Sequence, residues 1–143
     1  MALAQHPAGL RGYLYGIAGD DVIGMGVAYY SDSDTYVGLE WTAKDAIHHG
    51  QRCDTSEQNF TIALTPGSTT LRGETRYGIN AILGYYEANY VDTCAYPSSS
   101  TDSGFEYGLG VSMTVLMKSG LGYMLGLRHT DNSGTGFTFG ISW

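Results

Sequence analysis

No stretch of this chain approaches the roughly 18 consecutive apolar residues that a membrane-crossing helix needs, so helical spanning is excluded. Charge is scarce as well. Asp, Glu, Lys and Arg make up 15% of the 143 residues, against about 25% in an average soluble domain. Only seven residues are Lys or Arg, against fourteen Asp or Glu, for a formal net charge of −7. A basic patch able to hold nucleic acid is therefore missing. No glycine-rich phosphate loop, Cys-x-x-Cys pair or His-Glu-x-x-His element occurs, so no cofactor and no metal is implied. A complete signal peptide is lacking too. Met1-Ala2-Leu3-Ala4-Gln5 reads either as an initiator placed on an A-x-A cleavage remnant or as a short disordered tail. Residues 1–8 are expected to form a flexible tail and residues 9–143 a single domain.

Glycine (21) and tyrosine (12) are plentiful and proline (3) is rare, a composition that suits β-structure with small residues on one face and rings at interfaces. Residues 105–117 show this best. Phe105, Tyr107, Leu109, Val111, Met113, Val115 and Met117 alternate with Glu106, Gly108, Gly110, Ser112 and Thr114. A period of two over thirteen residues is a strand, and a long one. After a turn at 118–120, Leu121, Tyr123, Leu125 and Leu127 alternate with Gly122, Met124, Gly126 and Arg128. After a second turn at 131–134, Phe137, Phe139, Ile141 and Trp143 alternate with Gly136, Thr138, Gly140 and Ser142. Upstream, the large alternating residues are Ile23, Met25, Val27 and Tyr29, then Val37, Leu39 and Trp41, then Phe60, Ile62 and Leu64. Near residues 10–18 the pattern is ambiguous; Tyr13, Tyr15 and Ile17 are expected to face outward. Residues 70–91 carry no strong turn signal and read as one long strand.

Alternation alone also fits a soluble barrel or sandwich; the face opposite the apolar one decides. In a soluble protein that face carries many Lys and Glu. Here it is Gly, Ser, Thr and Ala with a few charges: Glu40, Arg72, Glu74, Arg76, Glu106 and Arg128. Such a face suits the narrow, side-chain-filled interior of an eight-stranded barrel. Three acids and three arginines there would balance as an interior ion-pair network. The apolar face would then meet lipid, which forces a closed sheet because hydrocarbon cannot satisfy an open strand edge. The fold expected is all-β, a transmembrane antiparallel up-and-down barrel of eight strands. Tyr29, Trp41, Tyr85, Phe105 and Trp143 are placed at its interfacial girdles. Cys53 and Cys94 both lie in polar, turn-rich segments, where they read as one disulfide or as two free thiols.

The chain resembles the small bacterial outer-membrane barrels related to the transmembrane domain of OmpA, to OmpX and to the neisserial opacity proteins, within the wider porin grouping. Its last strand, with Phe137, Phe139, Ile141 and a terminal Trp143, resembles their C-terminal assembly signal, although Trp stands where Phe is commoner. The resemblance implies residence in the outer membrane of a Gram-negative bacterium. The partners it implies are outer-membrane lipids with lipopolysaccharide and the barrel-assembly machinery, and the protein would be a monomer. It further implies periplasmic termini, outer loops near 18–21, 44–57, 92–103 and 131–134, and inner turns near 31–34, 66–69 and 118–120. Cys53 and Cys94 then fall on the same side, which favours the disulfide.

Some eight-stranded barrels modify lipid A. The deacylases use a His-x-Ser-Asn element; His129-Thr130-Asp131-Asn132-Ser133 has the histidine but displaces the serine. His129 and Ser133 are thus weak catalytic candidates. His48, His49, Asp54 and Ser56 resemble, more loosely, the loop residues of lipid A palmitoyltransferases. Solvated loop residues are the simpler reading of both sets. A structural or interaction barrel with a filled lumen and little pore activity is therefore the leading expectation. A lipid A deacylase or acyltransferase, a narrow channel, and a soluble barrel holding an apolar ligand are the alternatives.

Overall fold

The computed structural model describes residues 11–30, 34–94 and 98–143; the expected tail at residues 1–8 lies outside them. The described chain is β-strand joined by turns. The strands are β1 (Arg11–Gly19), β2 (Val22–Tyr30), β3 (Thr35–His49), β4 (Asp54–Leu64), β5 (Gly67–Arg72), β6 (Thr75–Asp92), β7 (Ser99–Leu116), β8 (Gly122–Thr130) and β9 (Gly134–Ser142). Each pairs antiparallel with its neighbours, and β1 pairs with β9, so the sheet closes on itself.

Nine segments make eight barrel strands because β4 and β5 are one strand interrupted at Thr65-Pro66. The register runs through unshifted: Leu39 faces Leu64 and Tyr36 faces Gly67 on one side, while Leu64 faces Leu83 and Gly67 faces Asn80 on the other. Thr65 exchanges both backbone hydrogen bonds with Gly38. Pro66 accepts from the Ala81 amide at 2.8 Å but has no N–H to return. The Asn80 side-chain amide donates to the Ala81 carbonyl instead, at 3.1 Å.

This corrects the inner turn expected at 66–69 and the long strand expected over 70–91. The chain turns at residues 73–74, where Gly73 takes φ +64°, as the first central position of a two-residue II′ hairpin requires. Thr-Pro-Gly-Ser carried more turn-formers than Gly73-Glu74, but a proline can sit in a barrel strand when a side chain replaces its missing donor. The first strand is also corrected. Tyr13, Tyr15 and Ile17 point inward and are no more than 3% exposed. Its outward row is Gly12, Leu14, Gly16 and Ala18.

The outer surface is apolar around the barrel. Every large outward residue of β7 from Phe105 to Val115, and Met117 beyond it, is 41–67% exposed, and Ile23, Ile62, Ile79, Leu125 and Phe139 are similarly bare. The interior holds tyrosines, threonines, small residues and, among the described residues, five buried charges: Glu40, Glu57, Arg76, Glu106 and Arg128. Strands β1, β2, β8 and β9 have nine residues each, about the length that crosses a bilayer at a barrel tilt. Strands β3, β6 and β7 have 15, 18 and 18. Their excess, with the start of β4, rises past the apolar belt at one end as a four-stranded blade. The long loops expected at 44–57 and 92–103 are therefore mostly strand. Among the described residues of these two segments, 50–53, 93–94 and 98 lie outside strands, at the tips. Cys53 and Cys94 join these tips as a disulfide with Cα atoms 5.0 Å apart. Thr93 ties them further, its amide and hydroxyl both reaching the Asp54 carbonyl at 2.9 and 3.0 Å.

Candidate functional site

The polar groups inside the barrel form a column from the disulfide end downward. At the mouth, Glu57 on β4 is 5% exposed. It meets His48 Nε2 at 2.8 Å, Asn59 Nδ2 at 3.3 Å and Lys44 Nζ at 3.9 Å. The β8–β9 turn reaches over the opening. Lys44 donates to the Asn132 carbonyl at 3.3 Å, and Asn59 donates to Asn132 Oδ1 at 2.8 Å. Burial raises the Glu57 carboxyl, but the bonds from His48 and Asn59 and the Lys44 charge outweigh it and hold its pKa below the ordinary carboxylate range. Asp92, nearer the tips, is also held low by bonds from Thr55 and Ser98.

One layer down, Glu106 on β7 is fully buried. It accepts from Ser133 Oγ at 2.6 Å and from Thr130 Oγ1. Arg128 on β8 donates to Ser133 Oγ at 3.3 Å and pairs with Glu40 on β3 at 3.1 Å. Tyr15 donates to the other Glu40 oxygen at 2.9 Å. Arg128 thus bridges two carboxylates on opposite sides of the lumen. Beside this pair is a void of about 10 Å³, room for a single water. Towards the opposite end the interior closes with rings. Tyr13 packs against Tyr30 and Tyr36 at centroid distances of 5.0 and 5.9 Å. The Arg76 guanidinium lies 4.4 Å over the Tyr30 ring, donates to Thr69 at 2.9 Å and approaches Asp34 at 3.7 Å.

Four of the six residues expected in an interior network, Glu40, Arg76, Glu106 and Arg128, are buried in the lumen. Arg72 and Glu74 are exposed, because the hairpin at 73–74 carries them to the barrel's end. Glu57 and Tyr15 were missed by sequence reasoning. Tyr15 belongs to the strand assigned the wrong face, and Glu57 to a stretch taken for loop. The two catalytic candidates, His129 and Ser133, are not brought together. His129 projects outward and bonds Thr135 Oγ1 at 2.8 Å, while Ser133 projects inward onto Glu106, so the wall separates them. His48 faces Glu57 inside and His49 faces Asp54 at 3.1 Å outside. Among the described residues no three His, Cys, Asp or Glu side chains gather as metal ligands.

A closed eight-stranded barrel with an apolar outside and a packed polar inside defines a class, the small outer-membrane barrels, and comparison with solved structures finds that fold. Neisserial surface protein A superposes with a TM-score of 0.62 at 9% sequence identity, over 93% of this chain and 92% of that one. The N-terminal barrel domain of Pseudomonas aeruginosa OprF gives 0.54 at 11% identity, over 93% and 94%. Ail, the attachment invasion locus protein of Yersinia pestis, seen in complex with the heparin analogue sucrose octasulfate, gives 0.53 at 9% identity, also over 93% and 94%. No family model matches the chain, and no curated protein matches it in sequence.

Proposed function

We propose that this protein resides in a bacterial outer membrane as a monomeric barrel whose work is done by what it displays, with a lumen that conducts little. The observation that carries this reading is the reversal of polarity. Large apolar side chains cover the outside, and paired charges and rings fill the inside. Water would reject that outside, whereas lipid accepts it. The filled interior argues against a steady pore. Lipopolysaccharide and neighbouring lipids are then the medium of the belt, and the barrel-assembly machinery reads Phe137, Phe139, Ile141 and Trp143.

The disulfide end is the displayed one in this reading. Among the described residues, Asp20, Asp21, Asp45, Asp54, Glu87, Asp92, Asp102 and Asp131 stand there against only Lys44 and Arg52. This rim repels a polyanion of the kind seen on Ail and favours a cationic partner.

Two measurements test the proposal. Single cysteines at Asp20 and at Ser119, with Cys53 and Cys94 left bonded, are treated with an impermeant thiol reagent on intact cells. Labelling at 20 and not at 119 is expected; the reverse overturns the orientation. Planar-bilayer recordings are expected to show no large steady ohmic current, and such a current overturns the filled lumen.

A further inference from the structure

On its lipid-facing side, the contact that closes the barrel is unlike the other strand pairs of the described residues; the rings of Tyr15 and Tyr86 also lie over glycines, Gly26 and Gly104, but on the lumen side. Along β9 the outward row is Phe137, Phe139, Ile141 and Trp143, and all but Trp143, at the chain end, are well placed by the β1 register: they face Ala18, Gly16 and Leu14. Trp143 and Gly12 continue this register by exchanging backbone hydrogen bonds at 3.1 and 3.4 Å. On the β8 side the same row meets full-sized Leu127, Leu125 and Tyr123. The rings therefore find space only towards β1, and they take it. A methyl at Gly16 would stand 2.9 and 3.1 Å from Phe139 ring carbons, and one at Gly12 would run into the Trp143 indole. This is also why Tyr13, Tyr15 and Ile17 are turned inward: the outward row of β1 carries glycine at 12 and 16, where rings from another strand are seated.

We infer that Gly12 and Gly16 are sockets for Trp143 and Phe139, and that these two ring-on-glycine contacts lock the first strand to the last. In hydrocarbon no water drives apolar groups together, so the seam depends on close packing. A ring laid over a glycine makes that packing across a strand pair that no hairpin joins. The other antiparallel neighbours are joined by short connections; β1 and β9 are joined only through the whole chain.

The test is reconstitution of the full chain from urea into phosphatidylcholine vesicles, with no assembly machinery present, followed by urea-jump unfolding read from heat-modifiable gel mobility. Gly16→Val and Phe139→Ala are each expected to speed unfolding by about tenfold or more, the scale of an overpacked or emptied contact. The exchange Gly16→Phe with Phe139→Gly moves the ring to the opposite strand of the same pair and is expected to recover most of that loss. Leu14→Val, on the same outward row but with no ring seated on it, is expected to stay within about threefold of the parent. The inference is overturned if Gly16→Val unfolds as slowly as the parent. It is equally overturned if the exchanged pair is no slower to unfold than Phe139→Ala, a comparison that holds even if Gly16→Val does not fold.

Discussion

Pro66 leaves the Ala81 carbonyl without its backbone donor in the middle of a membrane wall, and Asn80 supplies one from its side chain. An unsatisfied buried acceptor costs about 1–3 kcal/mol. Asn80→Ala is therefore expected to lower barrel stability by about that much in urea titrations. The loss should shrink in the background of Pro66→Ala, which restores an N–H; equal losses in both backgrounds would contradict the assignment. Arg128 presents a second case. It is the cation that both Glu40 and, through Ser133, Glu106 lean on. Arg128→Ala strands two buried carboxylates and is expected to cost about 3–5 kcal/mol, with part recovered by adding Glu40→Gln. An unchanged urea midpoint for Arg128→Ala would show that the column is not an ionic network.

At the scale of elements, the blade is the part whose stability depends on conditions. Glu57 and Asp92 both have carboxyls held below the usual range. Each therefore contributes stability that is complete above its unfolded pKa, near 4, and is lost as pH falls through the lower folded value. A nitroxide at Ser100 is expected to stay immobile from pH 7 to about 5 and to loosen below about pH 4. Loosening between pH 7 and 5, or none at pH 2, would contradict this. The disulfide closes a separation of 41 residues, worth about 4 kcal/mol on the chain-entropy model. Replacing Cys53 and Cys94 by serine is expected to free the tips yet leave heat-modifiable mobility intact, because the barrel wall below them does not use the bond. Loss of the compact gel form in the serine variant would refute that division.

The blade also shows why part of the structure was legible and part was not. In β7 below Phe105 and in β8 and β9, most outward residues are large and apolar and most inward ones are small or polar, so hydropathy reports the pleat directly. Above Phe60 and Tyr85 the outward residues become Gln58, Glu87 and Asn89 while the strands keep pairing. The period of two persists in the backbone but vanishes from the hydropathy, and strand reads as loop. β1 failed for another reason. Its outward glycines are filled by Phe139 and Trp143, from the far end of the chain, a dependence no local window contains. In the lumen, the residues flanked by clear alternation, Glu40, Glu106 and Arg128, were identifiable as inward, whereas Arg72 and Glu74 depended on a turn expected at 66–69 and found at 73–74.

For the whole molecule, closure and reversed polarity are one fact: a sheet with no edges can turn its apolar side to lipid and hide its charges in a lumen too narrow for bulk water. The most direct test is paramagnetic relaxation of methyl signals by nitroxides carried on lipid acyl chains. Leu109, Val111 and Leu125 should be strongly broadened, while Ile17, Ile82 and Met124 remain sharp. Broadening of the second set with the first untouched would mean that the barrel's inside and outside have been assigned the wrong way round.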